Sequence, residues 1–125
     1  MTNLTDVAVD SLTIGTIANP YPTSATLAAT GNITLKSGVV TLTNASAPVV
    51  ATLALPVATT DDFKELIILS TTAQAHTVAC ASGTFGSSGA GYTTVTFTAI
   101  EGANLHLFAY QGRWYILHLN AAAIA

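Results

Sequence analysis

The chain has 125 residues, half of them hydrophobic, with only 7% charged and a formal net charge of −3; that length makes one domain whose core needs no disulfide or metal staple. Lys36, Lys64 and Arg113 are its only cations, too few for the basic cluster that binds nucleic acid through phosphates. Soluble domains usually carry about 25% charged residues, so a surface this poor in charge predicts burial in an assembly; the competing reading is a Ser/Thr-covered monomer.

Residues 1–31 differ from the rest. Apolar residues stand apart there, and Asn19-Pro20-Tyr21-Pro22 stops any regular element. Val7 with Val9 and Leu12 with Ile14 alternate well enough for short extended segments, which cannot build a core of their own. The expectation is an extended N-terminal arm that adds a strand to the main domain or, the favoured reading, lies on a neighbouring subunit or outer support. Its contact residues would be Leu4, Val7, Val9, Leu12, Ile14, Ile17 and Tyr21. The start lacks the basic and apolar regions of a signal peptide, and the longest apolar run, Ala47 to Ala58, contains two prolines and is too short to span a bilayer. A chain made in the cytoplasm, with no membrane partner, is expected.

From Asn32 onward the texture is strand and turn. Ile33 to Leu35, Val39 to Thr43 and Val49 to Leu55 are short β-rich runs, the last closed by Pro56. Leu66-Ile67-Ile68-Leu69 follows Asp61-Asp62 and reads as a strand rather than a helix, because the run is brief and has a β-branched pair. His76 to Cys80 is the next strand, then the Gly/Ser-rich loop Ala81 to Gly91 with Phe85 as its one anchor, then Tyr92 to Thr98. Asn104 to Leu119 folds back at Gln111-Gly112 as a hairpin that carries the only Trp and two of the four Tyr. Alternation leaves both of its faces apolar, which predicts a buried or subunit-contacting element. About seven or eight short strands without helical periodicity predict an all-β fold: a single β-sandwich or barrel-like domain over residues 32–125, jelly-roll-like arrangements included.

Candidate chemistry is sparse. His76, His106 and His118 lack zinc-ligand spacing, although His106 and His118 are placed to meet across the hairpin. Asp61-Asp62 with Glu65 does not follow the EF-hand pattern and reads as a solvated turn. The glycines around GTFGSSGAG lack the G-K-[ST] ending of a phosphate loop, and no G-x-S-x-G elbow occurs. Cys80 is single, with no adjoining cation to activate it. No catalytic residue, metal or cofactor is expected.

GVVTLT (Gly38 to Thr43), ATLALP (Ala51 to Pro56), FKELIILSTTAQAHTVA (Phe63 to Ala79) and LHLFAYQGRWYIL (Leu105 to Leu117) together resemble a module of structural proteins in tailed bacteriophages. In that module a strand ending in Leu-Pro precedes an acidic or Gly turn, a K-x-L-x-I strand, a His-Thr-Val strand and an aromatic G-x-W-Y hairpin. The resemblance implies a virion protein, most like a head decoration (cement) protein that sits on the capsid surface as a homo-oligomer, with a trimer favoured and the major capsid protein as partner. Tail-fibre and baseplate parts share the pattern. A carbohydrate-binding sandwich using Tyr92, Tyr110 and Trp114 as stacking platforms is the other class to weigh.

Overall fold

The computed structural model describes residues 23–86 and 91–125. Their strands are β1 (Ser24–Leu27), β2 (Gly31–Ile33), β3 (Gly38–Leu42), β4 (Val50–Leu53), β5 (Glu65–Ser70), β6 (Thr77–Cys80), β7 (Thr94–Phe97), β8 (Asn104–Tyr110), β9 (Arg113–Asn120) and β10 (Ala122–Ile124). They form two five-stranded sheets, ordered β1-β3-β5-β8-β9 and β10-β7-β6-β4-β2, and the all-β, sandwich-like expectation is met.

The winding was not legible in the alternation. From β1 to β6 successive strands alternate between the sheets, and within each sheet they pair in parallel: β1 with β3, β3 with β5, β2 with β4, β4 with β6. Parallel neighbours need a crossover connection; here the crossover is the strand in the opposite sheet, so each coil of chain lays one strand in each layer. After β6 the pattern changes. β7 turns back antiparallel beside β6, β8 and β9 add an antiparallel hairpin beside β5, and β10 closes the second sheet beside β7.

Period-two alternation fills the space between the layers. Val40, Leu42, Leu66, Ile68, Leu105, Leu107 and Trp114 of the first sheet meet Ile33, Ala51, Leu53, Val78, Val95 and Phe97 of the second, all buried. Each such large side chain contributes roughly 1.5–3 kcal/mol on burial. Trp114 bridges the layers, its Nε1–H donating to the Ala54 carbonyl at 2.9 Å. Phe85 is 1% exposed and anchors its loop as the sequence suggests.

Two polar clusters fix the connections. His76 is buried; its Nδ1 accepts the Val49 N–H at 2.8 Å, and its Nε2 lies 3.0 Å from Thr72 Oγ1. Because the Thr72 hydroxyl donates to the Asn44 carbonyl, the ring supplies the Nε2 proton, and the network requires neutral imidazole. The Asp61-Asp62 turn is not the solvated turn the sequence suggests. Asp61 is 5% exposed, accepting from Lys64 Nζ at 2.7 Å, Lys36 Nζ at 3.4 Å and the Val57 N–H at 2.7 Å. Asp62 accepts the Gln111 N–H and side-chain amide at 2.7 and 2.6 Å, tying this turn to the hairpin tip. That tie accounts for a non-glycine residue at φ 48° in a turn whose second residue, Gly112, has φ 80°.

β1 and the start of β2 fall within the stretch the sequence assigns to an arm, so the first coil begins earlier than composition suggests.

Candidate assembly surface

The outer faces of the two sheets differ in chemistry. On the second sheet the outward positions are Asn32, Thr52, Thr77, Ala79, Thr94, Thr96 and Ala123, with Val50 at a strand end. This is the polar exterior expected where one face of a sheet meets water. On the first sheet the corresponding positions are Ser24, Thr26, Val39, Thr41, Glu65, Ile67, Leu69, Asn104, His106, Phe108, Tyr110, Arg113, Tyr115, His118 and Asn120, so that large apolar and aromatic residues stand among polar ones. Register sets Val39, Ile67, His106 and His118 in one row across four strands, and Glu65, Phe108 and Tyr115 in the next.

The signal for this face lies in the sequence of β5. ELIILS is apolar at four consecutive positions, and a strand apolar at consecutive positions is apolar on both faces. Leu66 and Ile68 point inward and are fully buried, while Ile67 and Leu69 point outward and are partly covered by neighbours. The hairpin behaves likewise, with Leu105, Leu107 and Ala109 inside and His106, Phe108 and Tyr110 outside.

Its return strand departs from simple alternation. A bulge opposite His106 and Leu107 pairs Leu107 with Ile116 but His106 with His118, so Leu117 is the extra residue. Leu119 thereby joins Trp114 and Ile116 on the inner side, and His118 faces outward with Tyr115, the reverse of unbroken alternation. Leu117 is left 54% exposed at the rim.

Phe63 extends the face from the preceding turn. Its backbone has φ 72°, a region bulky residues rarely occupy, and its N–H donates to the Ala109 carbonyl at 2.7 Å. That conformation places the ring against Phe108 and Tyr110, with centroids 6.1 and 5.7 Å away, yet leaves Phe63 68% exposed. A non-glycine residue in this backbone region costs of order 1–3 kcal/mol, and here it holds an aromatic ring largely in water.

The face is nearly uncharged. Glu65 is its carboxylate, 2.9 Å from His106 Nε2. Arg113 at the hairpin end directs Nη1 to the Gly86 carbonyl at 3.1 Å. His106 and His118 are cross-strand partners as their spacing predicts, whereas His76 is buried elsewhere. Among the described residues no three His, Cys, Asp or Glu side chains gather as a metal-binding group. Burial pushes the Cys80 thiol up to about 11, which keeps it protonated at neutral pH.

The aromatic platforms weighed for carbohydrate do not come together. Trp114 lies fully buried on the inner side of the hairpin, and Tyr110 projects from the opposite side. Tyr92 instead borders a cavity of about 330 Å³ with Phe85, Tyr115, Ile116, Leu119 and Ile124, between β9 and β10. The arm residues Leu4, Val7, Val9, Leu12, Ile14, Ile17 and Tyr21 lie outside the described residues. Comparison with protein-family models, curated proteins and solved structures finds no match to this chain.

Proposed function

We propose that this protein is a non-enzymatic structural subunit of a bacteriophage virion, a capsid-decoration protein that self-associates through the outer face of its first sheet. The observation that carries the reading is the difference between the two outer faces: Thr, Ala and Asn with a single Val50 on one, and on the other Val39, Ile67, Leu69, Phe108, Tyr110 and Tyr115 set among Ser, Thr, Asn and His. The outward apolar and aromatic residues lie on β3, β5, β8 and β9, four strands that span roughly 15 Å, and contiguous exposed apolar surface marks interaction sites on soluble proteins.

A second copy is the occupant favoured by charge. The patch has Glu65 beside His106 and little else, so copies meet without like-charge repulsion and without needing an oppositely charged partner. The 7% charged composition supports the same conclusion for the chain as a whole. A trimer built around these faces would turn its remaining surfaces toward the shell, adding association free energy across joints between capsid subunits; stable interfaces bury about 1,200–2,000 Å².

The reading is tested by sedimentation of the full chain and of Ile67→Lys, which puts a charge at the centre of the face and leaves the core untouched. The wild type should sediment as a trimer and the variant as a folded monomer that no longer binds particles. A monomeric wild type, or a variant that associates like the wild type, refutes the assignment of this face. Electron microscopy of particles then separates head from tail: density on the capsid surface supports decoration, and density confined to the tail refutes it.

A further inference from the structure

His76 is the one titratable side chain in the two connections that carry the chain between layers at one end of the sandwich. Because β3 runs parallel to β5 and β4 to β6, the β3–β4 connection (43–49) and the β5–β6 connection (71–76) cross side by side. Their sequences are TNASAPV and TTAQAH, without Asp, Glu, Lys or Arg. Polar side chains stitch them together: Gln74 Nε2 donates to the Ala45 carbonyl at 2.8 Å, and Thr72 Oγ1 to that of Asn44 at 2.8 Å. His76 completes the seam from a fully buried position. Its Nδ1 takes the Val49 N–H, and the next bond, from the Thr77 N–H to the Val49 carbonyl at 2.9 Å, starts the β4–β6 ladder.

Proton uptake changes one of the ring's two contacts and leaves the other intact. Nε2–H donates to Thr72 Oγ1 in either state. Nδ1 turns from acceptor to donor, and it then faces the Val49 N–H, itself a donor, at 2.8 Å. No neighbouring charge compensates. β3, β4, β6 and β7 read GVVTL, VATL, TVAC and TVTF, so Cys80 is their only titratable group, and β5 has Glu65 at its opposite end. The β7–β8 connection carries Glu101, which is exposed, and among the described residues no ion pair includes His76. A buried cation without a partner is costly, and desolvation accordingly holds the His76 pKa below its ordinary 6.5.

We propose that His76 is an acid-sensitive latch: when the ring takes up a proton it leaves Val49, and residues 44–49 lift from the second sheet while the rest of the sandwich stays folded. The opening is local because Ala45 to Pro48 are already exposed and Val49 is the one buried residue of the segment, so little apolar surface is uncovered. The latch is closed above the ordinary histidine range and opens as pH falls from it toward the depressed value. It uses neither the outer face of the first sheet nor a second copy, and stands whether or not that face associates.

The test is native-state amide exchange by NMR on the isotopically labelled full chain between about pH 8 and about pH 5, with protection read against unstructured amides at the same pH. Protection of the Val49 and Thr77 amides should fall about tenfold for each pH unit below the ordinary histidine value, the slope of one proton taken up on opening. It should be insensitive to low urea, as a local opening is, while the β8–β9 amides stay better protected. His76→Gln should abolish the slope at Val49, and the control Glu101→Gln should keep it. Where His76→Gln does not fold, the imidazole nitrogen shifts of the wild type decide, since protonation of His76 must coincide with loss of Val49 protection. Val49 protection that is constant across this range, that persists once the ring is protonated, or that falls together with β8–β9 in global unfolding overturns the proposal.

Discussion

Replacing Trp114 separates the inner side of the final hairpin from its outer side. The indole is fully buried between the sheets and donates to the Ala54 carbonyl at 2.9 Å. Trp114→Ala removes the largest side chain of the core, a change that typically costs about 3–5 kcal/mol; against a total stability of about 5–15 kcal/mol it consumes roughly a fifth or more. Trp114→Phe keeps much of the apolar volume but leaves the Ala54 carbonyl without its donor, adding about 1–3 kcal/mol for the unsatisfied acceptor. The neighbouring Tyr115 points outward, so Tyr115→Ala should cost the isolated fold less than about 1 kcal/mol. Urea unfolding followed by far-ultraviolet circular dichroism measures all three under monomeric conditions, since fluorescence would lose its only Trp. The expected order is Ala far below Phe, and Tyr115→Ala close to wild type. A Trp114→Ala midpoint within about 1 kcal/mol of wild type would refute the claim that this residue clamps the layers.

Three further outcomes follow from the polar clusters and one glycine. Burial lowers the His76 pKa below its ordinary 6.5, so its contribution to stability is complete above that pH and declines as pH falls through the depressed value; His76→Gln should flatten the urea midpoint between neutral and mildly acidic pH, and an unchanged slope would contradict the neutral-imidazole network. The Lys64 hydrogen bond, followed by the Val57 N–H, holds Asp61 down at about 2, so its stabilisation is present above 3.8 and lost as pH drops toward about 2; Asp61→Asn should remove that acid-range dependence in the same titration. Gly38 has φ 110°, and an added Cβ would lie 1.9 Å from the Thr23 carbonyl oxygen. Gly38→Ala should therefore destabilise by about 1–3 kcal/mol and speed amide exchange in β1 and β3 first; a thermal midpoint equal to wild type would show that the first coil tolerates displacement.

Local pattern carried the strands, and partner choice was where it ran out. Alternation in GVVTL, TVAC and NLHLFAY gives strands with one face in the core, but alternation says nothing about which strand lies alongside, and the parallel two-layer winding is set by long-range register. β10 was missed because Ala122 to Ile124 is small and featureless in sequence; it is a strand through its pairing with β7. Asp62 looked solvated because its partner Gln111 is 49 residues away, whereas the main partners of Asp61, Lys64 and the Val57 N–H, are only three and four residues away and depend on the local turn geometry that composition does not give. The candidate face was half legible. The hairpin showed two apolar sides, whereas Val39 and Phe63 join the face through sheet register and a left-handed backbone that composition does not announce.

Sedimentation equilibrium of the full chain beside Ile67→Lys decides whether the outer face of the first sheet is an assembly surface. The wild type should sediment as a trimer and the variant as a folded monomer. A wild type that remains monomeric at high concentration, or a variant that still forms the trimer, would contradict that assignment.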